Sequence, residues 1–546
     1  MLLHSREELP QIGKVPKPKS KQHPRPLASQ NTCFFGLYTI WLRRNQGSAK
    51  EGMVISMDKK IIIVGAGIAG LTAAIYMKRS GLDVTLIEQH SISGGMCTSW
   101  KRKGYLFEGA MHWLTGSSPK TSLNKIWRDT GALSDDVAVS YGEPFRSVEF
   151  GEKTLNVYRN IDKTAQQLRS MSPEDEPLIR RLVKDVKALS KMQAPVFDIK
   201  GVKSKNPEPM TPGFFFSMMP AFPTLNRLSK MSCRAYTERF SNPGIQRLLR
   251  IVPENYNATS LIFTLASLNA GDGGHPQGGS LAMVSRMEKK FLDLGGELLL
   301  NTEVKKVNIE NGVATGVTLS DKTLLADAVV VTQETISALD KLFDVPPSDP
   351  WIKTLRKAVK PTVCTFISIG VRAKLPENIL PQWKLSTPIT YAGRQEEYLS
   401  FNSYSGADGY APDGCTAITT ALMGDTYDFW KKAKDEDRYK DEKRAIADQI
   451  SNALCEKYPQ AKGNIEIIDI ATPLTYERYT GAYHGSWMTD VEVGDKMTNY
   501  PATVEETQGL YFAGHRLTPP GGLPTAAASG RTAAQHVCKQ FDVVFC

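Results

Sequence analysis

Three glycines and one carboxylate at fixed spacing are the residues of this chain best suited to chemistry, and that chemistry is dinucleotide binding. Gly65, Gly67 and Gly70 form G-x-G-x-x-G, and Glu88 follows the first of them by 23 residues. Gly65 suits a tight turn, Gly67 lets the backbone approach a pyrophosphate, and Gly70 lets a helix pack closely on a sheet. The N–H groups that open such a helix, around Ile68 and Ala69, favour the pyrophosphate's negative charge. An acid at position 88 accepts hydrogen bonds from ribose hydroxyls. The same stretch supplies the elements that must hold these groups. Residues 60–64 and 82–87 are short apolar, β-branched runs, and an Ala/Leu-rich helix ended by Gly81 lies between them.

The next segments separate a flavin from a nicotinamide. Ser93-Gly94-Gly95 follows Glu88 closely, and Tyr105-Leu106-Phe107-Glu108-Gly109 makes a further apolar strand. A simple nicotinamide domain would pass straight into its next crossover helix. Near the C-terminus, GLYFAGHRLTPPGGLPTAAASGRTAA (509–534) gives another apolar strand, Gly514, a Pro/Gly loop and an Ala-rich helix. A second helix start, approached by Gly521 and Gly522 and opening at Leu523, suits a flavin ring and its ribitol.

Together these segments resemble the FAD-dependent amine oxidase and phytoene desaturase superfamily. The nearest branch is that of bacterial-type phytoene desaturases, carotenoid isomerases and retinol saturases. HPQGGSLAMVSRMEKKFLDLGGELLLNTEVKKV resembles that branch's adenine-side segment, which implies backbone contact with adenine at Val304. NGVATGVTLSDKTLLADAVVVT reads as a β-meander, and TPLTYERYTGAYHGSW resembles a segment near the substrate cavity, implying that Tyr483 and His484 line it. The chain departs from the pattern at Met96, where arginine commonly follows the glycine pair, and at His515, where an acid often stands. His112-Trp113 is similar to the retinol-saturase side.

The resemblance implies an α/β fold: a Rossmann-like FAD-binding domain with a parallel sheet and β-meander, plus an α+β substrate domain. The FAD-binding domain is expected in three pieces, 57–150, 270–335 and 495–540. The substrate domain is expected from 151–269 and 336–494. It implies non-covalent FAD held by Gly65, Gly67, Ile68, Ala69, Gly70, Glu88, Gly94, Gly95, Met96, Val304, Gly514, His515, Gly522 and Leu523. His515 and Arg516 are both expected to touch it. His112 is the candidate proton donor or orienting group. The implied activity is desaturation, saturation or isomerisation of a carbon–carbon bond in a hydrophobic isoprenoid or polyene, by hydride transfer with the flavin. The alternatives are an amine oxidase and a flavin-binding protein without turnover. The electron partner stays open between NAD(P)H, another donor and another acceptor, because no second complete G-x-G-x-x-G follows.

Composition excludes other classes. The net charge of +10 is concentrated, since residues 1–56 hold nine Lys/Arg against three Glu. No nucleic-acid recognition motif accompanies it, and no apolar run reaches the ~18 residues of a membrane span. The basic tail reads as a disordered leader, with a targeting peptide or a membrane tether as competing readings. Eight cysteines, none in C-x-x-C, read as reduced thiols of a cytoplasmic protein, and no metal-ligand spacing occurs. Cys97 reads as a packing residue, with a catalytic thiol as the rival. Residues 430–457 read as one charged surface helix. Residues 212–232, PGFFFSMMPAFPTLNRLSKMS, divide between a buried core helix and a greasy lid that places the protein at a membrane periphery.

Overall fold

A computed structural model describes residues 59–109, 111–192, 196–376, 380–404 and 409–546. The expected leader, 1–56, lies outside the described residues. Lys60–Val64 and Asp83–Ile87 pair in parallel, register Ile62 against Thr85, and extend to a five-stranded sheet. Its order is Leu510–Phe512, Ala328–Val331, Lys60–Val64, Asp83–Ile87, Glu297–Leu299, parallel throughout. The middle strands read as near-continuous Val/Ile runs because helices cover one face and a β-meander with its helices covers the other. That meander is a three-stranded sheet, Lys306–Glu310, Val313–Thr318 and Thr323–Leu325, and the chain returns from it into Ala328–Val331.

Two helices, Ile68–Arg79 and Leu523–Gln540, pack beside each other on this sheet. Both are rich in Ala and Gly, which lets their backbones come close. A Cβ placed on Gly530 would lie 2.3 Å from the carbonyl oxygen of Ala69. No side chain fits there.

A second sheet has seven strands, ordered Ile465–Ala471, Cys364–Val371, Thr416–Met423, Arg394–Ser403, Leu380–Tyr391, Arg146–Phe150, Lys153–Val157. Helices from Ile161–Met171 through Ala258–Asn269 enclose a separate apolar core beside its far end. The surface helix expected over 430–457 is two helices, Tyr427–Asp435 and Tyr439–Lys457, because Asp437 takes φ 57° between them. The first of these buries Trp430 completely. The buried-helix reading of 212–232 also needs correction. Prolines at 212, 220 and 223 divide the stretch into short helices. Ala221 and Leu228 are buried, whereas Phe216, Met219 and Phe222 are exposed at 69%, 55% and 47%.

The helix pair gives a direct test. Gly530→Ala forces a methyl group against a backbone oxygen, and overpacking of this kind costs about 1–3 kcal/mol. We expect that loss in chemical denaturation, with the fold retained.

Candidate functional site

The first glycine loop is shaped by backbone contacts. Gly65 takes φ 102°, and its N–H donates to the carbonyl of Ile87 at 2.8 Å. A Cβ on Gly70 would sit 1.9 Å from the Gly65 oxygen. Gly67 precedes the helix in an extended conformation, and no side chain caps Ile68, Ala69 or Gly70. Their N–H groups are left for a ligand. The second loop closes onto the first: Gly94 N–H donates to Ala66 O at 2.8 Å, and a Cβ on Gly95 would lie 3.5 Å from Gly67 Cα.

Glu88 ends the second strand, 8% exposed. One carboxylate oxygen accepts the N–H of Ala66 at 2.9 Å and the other that of His90 at 3.0 Å. Each oxygen keeps capacity for another donor. Nearby Thr302 N–H donates to Glu88 O, and two residues on lies Val304. Among the described residues neither the N–H nor the C=O of Val304 has a hydrogen-bond partner, although the residue is buried. The Ser93 hydroxyl is likewise buried and partnerless. The Leu523–Gln540 helix also starts uncapped, after Gly521 at φ 104° and Gly522 at φ 95°. Two uncapped helix starts, an acid with spare acceptors and an open adenine-side backbone fit a dinucleotide.

His515 and Arg516 part company. A Cβ on Gly521 would lie 2.5 Å from His515 Nδ1, which is buried and has no partner. Burial, then the charge of Arg516, pushes His515 down to about 3. It faces the loop as a neutral ring. Arg516 is not a cofactor contact. It is 1% exposed and pairs with Glu334 at 2.8 Å, with further bonds to Ser486 Oγ, Met488 O and Thr489 Oγ1. A buried guanidinium needs those acceptors, and they take four of its five N–H groups.

Met96 leaves the glycine pair and joins an apolar cluster with Cys364, Phe366, Ala471, Tyr476 and Trp487. His112 stands against the same wall, its ring 5.9 Å from Trp487, 6.2 Å from Phe366 and 6.4 Å from Trp113. Its Nδ1 lies 3.2 Å from the side-chain amide of Asn402. Burial, then the charge of His275, pushes His112 down to about 4. His112 is thus a neutral imidazole that orients or exchanges one hydrogen bond, and it does not rest as an imidazolium donor.

Tyr483 and His484 form part of an aromatic stack. His484 takes φ 53° and is stacked between Tyr427 at 4.2 Å and Tyr483 at 4.1 Å, so both faces of its ring are covered. Trp487, three residues on, packs in the apolar cluster with Met96 and Phe366. Cys97 is 1% exposed, and burial pushes its thiol up to about 12. It packs and does not react as a thiolate. Glu108 is 1% exposed and accepts the N–H of Ser280 at 3.0 Å, capping the helix that starts at Gly279. Phe366, Asn402 and Trp487 escaped the sequence reading. The alternation of Arg394–Ser403 is the one signal that could have found Asn402.

Comparison with known proteins agrees with this geometry. The profile of the flavin containing amine oxidoreductase family matches residues 68–538. The lycopene-forming phytoene desaturase of a Paracoccus species is 24% identical across 87% of this chain and 97% of its own length. Prolycopene isomerase of Daucus carota is 23% identical across 94% and 87%. The inactive all-trans-retinol 13,14-reductase of Danio rerio is 22% identical across 78% and 76%. Among solved structures, an oxidoreductase from Methanosarcina mazei shares the fold with a TM-score of 0.56 at 17% identity, covering 86% of this chain and 98% of that one. Putrescine oxidase bound to putrescine gives 0.55 at 14%, covering 88% and 99%.

Two outcomes follow from the buried groups. Arg516→Met leaves the Glu334 carboxylate buried and alone, which costs about 3–5 kcal/mol and is read as a lower denaturant midpoint. His112 and His515 are neutral when folded but charge below about pH 6.5 when unfolded. The unfolded chain then binds more protons, so stability is complete above that pH and falls as pH drops toward 4. Urea midpoints at pH 7.5 and 5.0 should show the fall, and His515→Phe should lessen it.

Proposed function

The chain belongs to the flavin containing amine oxidoreductase family, and on that premise we propose that it is an FAD-dependent oxidoreductase of a hydrophobic isoprenoid or polyene. The reaction is a desaturation, saturation or isomerisation at a carbon–carbon bond. The FAD is held without a covalent bond by the Gly65–Gly70 loop, Glu88, the Gly94–Met96 turn, Val304 and the Gly521–Leu523 helix start. A bound flavin supplies reversible exchange of a hydride equivalent.

One observation carries the reading of the substrate. The wall beside the glycine pair is Met96, Phe366, Trp487, Trp113 and a neutral His112, and among the described residues the charge acting on that histidine is that of His275. Apolar rings with no fixed charge suit a hydrocarbon chain and exclude water from it. His112, with Nδ1 beside Asn402, offers one orienting hydrogen bond. The printed names of the desaturase and isomerase relatives point to the same substrate class. The exposed Phe216, Met219 and Phe222 support a contact with the membrane surface, where such substrates dissolve. Among the described residues no helix is long and apolar enough to cross a membrane.

A second reading is amine oxidation, since aromatic rings also attract a cation and putrescine oxidase shares the fold. An anaerobic titration that follows the flavin absorbance band separates the two. We expect NADH, NADPH or a polyene hydrocarbon to bleach the band and primary amines to leave it oxidised. Bleaching by a nicotinamide assigns saturation or isomerisation, and bleaching by the polyene assigns desaturation. Bleaching by an amine alone would hand the site to the second reading, and no band after added FAD would end the proposal.

A further inference from the structure

The strand Arg394–Ser403 continues the wall away from His112. Leu399 and Phe401 are buried in the sheet's own core, so Glu396, Tyr398, Ser400 and Asn402 share the opposite face. At about 3.3 Å per residue, Tyr398 lies ~13 Å along that face from Asn402. Asn402 touches His112, and Tyr398 carries Arg247, whose guanidinium is 3.9 Å from the ring centroid.

Arg247 meets a second arginine there. Its Nε donates to Gln382 Oε1 at 2.8 Å, and Arg146 Nη2 donates to the same oxygen at 2.9 Å. Two guanidiniums thus converge on one neutral acceptor. Among the described residues neither has a carboxylate within ion-pair distance. Arg250, on the next turn, takes Glu254 at 3.0 Å, while Glu254 and Glu396 act on Arg247 only from farther away. Nε of Arg146 is shut from solvent without an acceptor. Burial, then the charge of Arg247, holds Arg146 down to about 10. The helix bearing Arg247 is fixed in place, since a Cβ on its Gly244 would meet the Phe150 ring at 2.6 Å.

We propose that Arg146 and Arg247 form a recognition site for the carboxylate end of a long apolar ligand whose chain runs along the Tyr398–Asn402 face toward His112. A guanidinium fork matches a carboxylate in plane and in charge. The inference rests on the polyene reading above and adds to it an anionic end held away from the flavin side.

The test uses the full chain and three C20 polyenes that differ only at the terminus: carboxylic acid, alcohol and hydrocarbon. Binding is read by quenching of tryptophan fluorescence at pH 7.5. The acid should bind about tenfold tighter than the alcohol, with the preference shrinking at high salt. Arg247→Gln and, separately, Arg146→Gln should erase that preference and leave hydrocarbon affinity unchanged, and Arg247→Lys should keep part of it. Equal binding of acid and alcohol by the native chain overturns this inference and spares the polyene reading. So does a variant that weakens acid and hydrocarbon alike. Failure of all three to bind overturns both.

Discussion

The ion pair between Arg516 and Glu334 joins the two halves of the site. Arg516 follows the last strand of the parallel sheet, and Glu334 accepts the N–H of Ser337 to cap the helix after another of its strands. The remaining guanidinium nitrogens reach Ser486 and Met488, the two residues that flank Trp487. One side chain therefore sets the distance between the parallel sheet and the Trp487 ring. Burying both charges costs solvation that mutual attraction alone seldom repays. Three further acceptors around Arg516, and Glu334's own cap, satisfy most of the leftover donors and lone pairs and hold the junction in one arrangement.

The parts of this arrangement that backbone geometry dictates were legible in the sequence. Gly65, Gly67 and Gly70 could be read because only glycine meets the turn, the approach and the packing contact, and the nearby Glu88 inherits its place from the strand it ends. The wall was not legible. The run 364–371 breaks its apolar residues only at Thr365, Ser368 and Gly370 and without strict alternation, so it announces a buried strand without saying which face Phe366 presents. Trp487 was inside a recognised segment, yet Tyr483 and His484 drew attention because their polar atoms suggested chemistry. Packing covers His484 with two tyrosines. Arg516 was misplaced for a related reason: its sequence neighbours adjoin the glycine loop, but its partners come from positions 334 and 486–489. The prolines of 212–232 hid a further outcome, a stretch whose backbone is helical in pieces, with Ala221 and Leu228 buried and Phe216, Met219 and Phe222 facing solvent.

The arginine pair near Gln382 and the arginine at 516 make a useful contrast. Arg516 is surrounded by acceptors that take four of its five N–H groups. Arg146 and Arg247 share a single amide oxygen and retain donors that no described residue satisfies. The same residue type serves structure in one place and leaves an open demand in the other, and the difference lies in the count of acceptors.

Because His112 and His515 titrate near 4 and 3, the walls of the site carry the same charge from mildly acidic to mildly basic conditions. These two histidines therefore lend the enzyme's rate no inflection near neutrality. A bend in its rate between pH 5 and 8 would then register a group other than these two, among them a proton taken up or released by the molecules it converts.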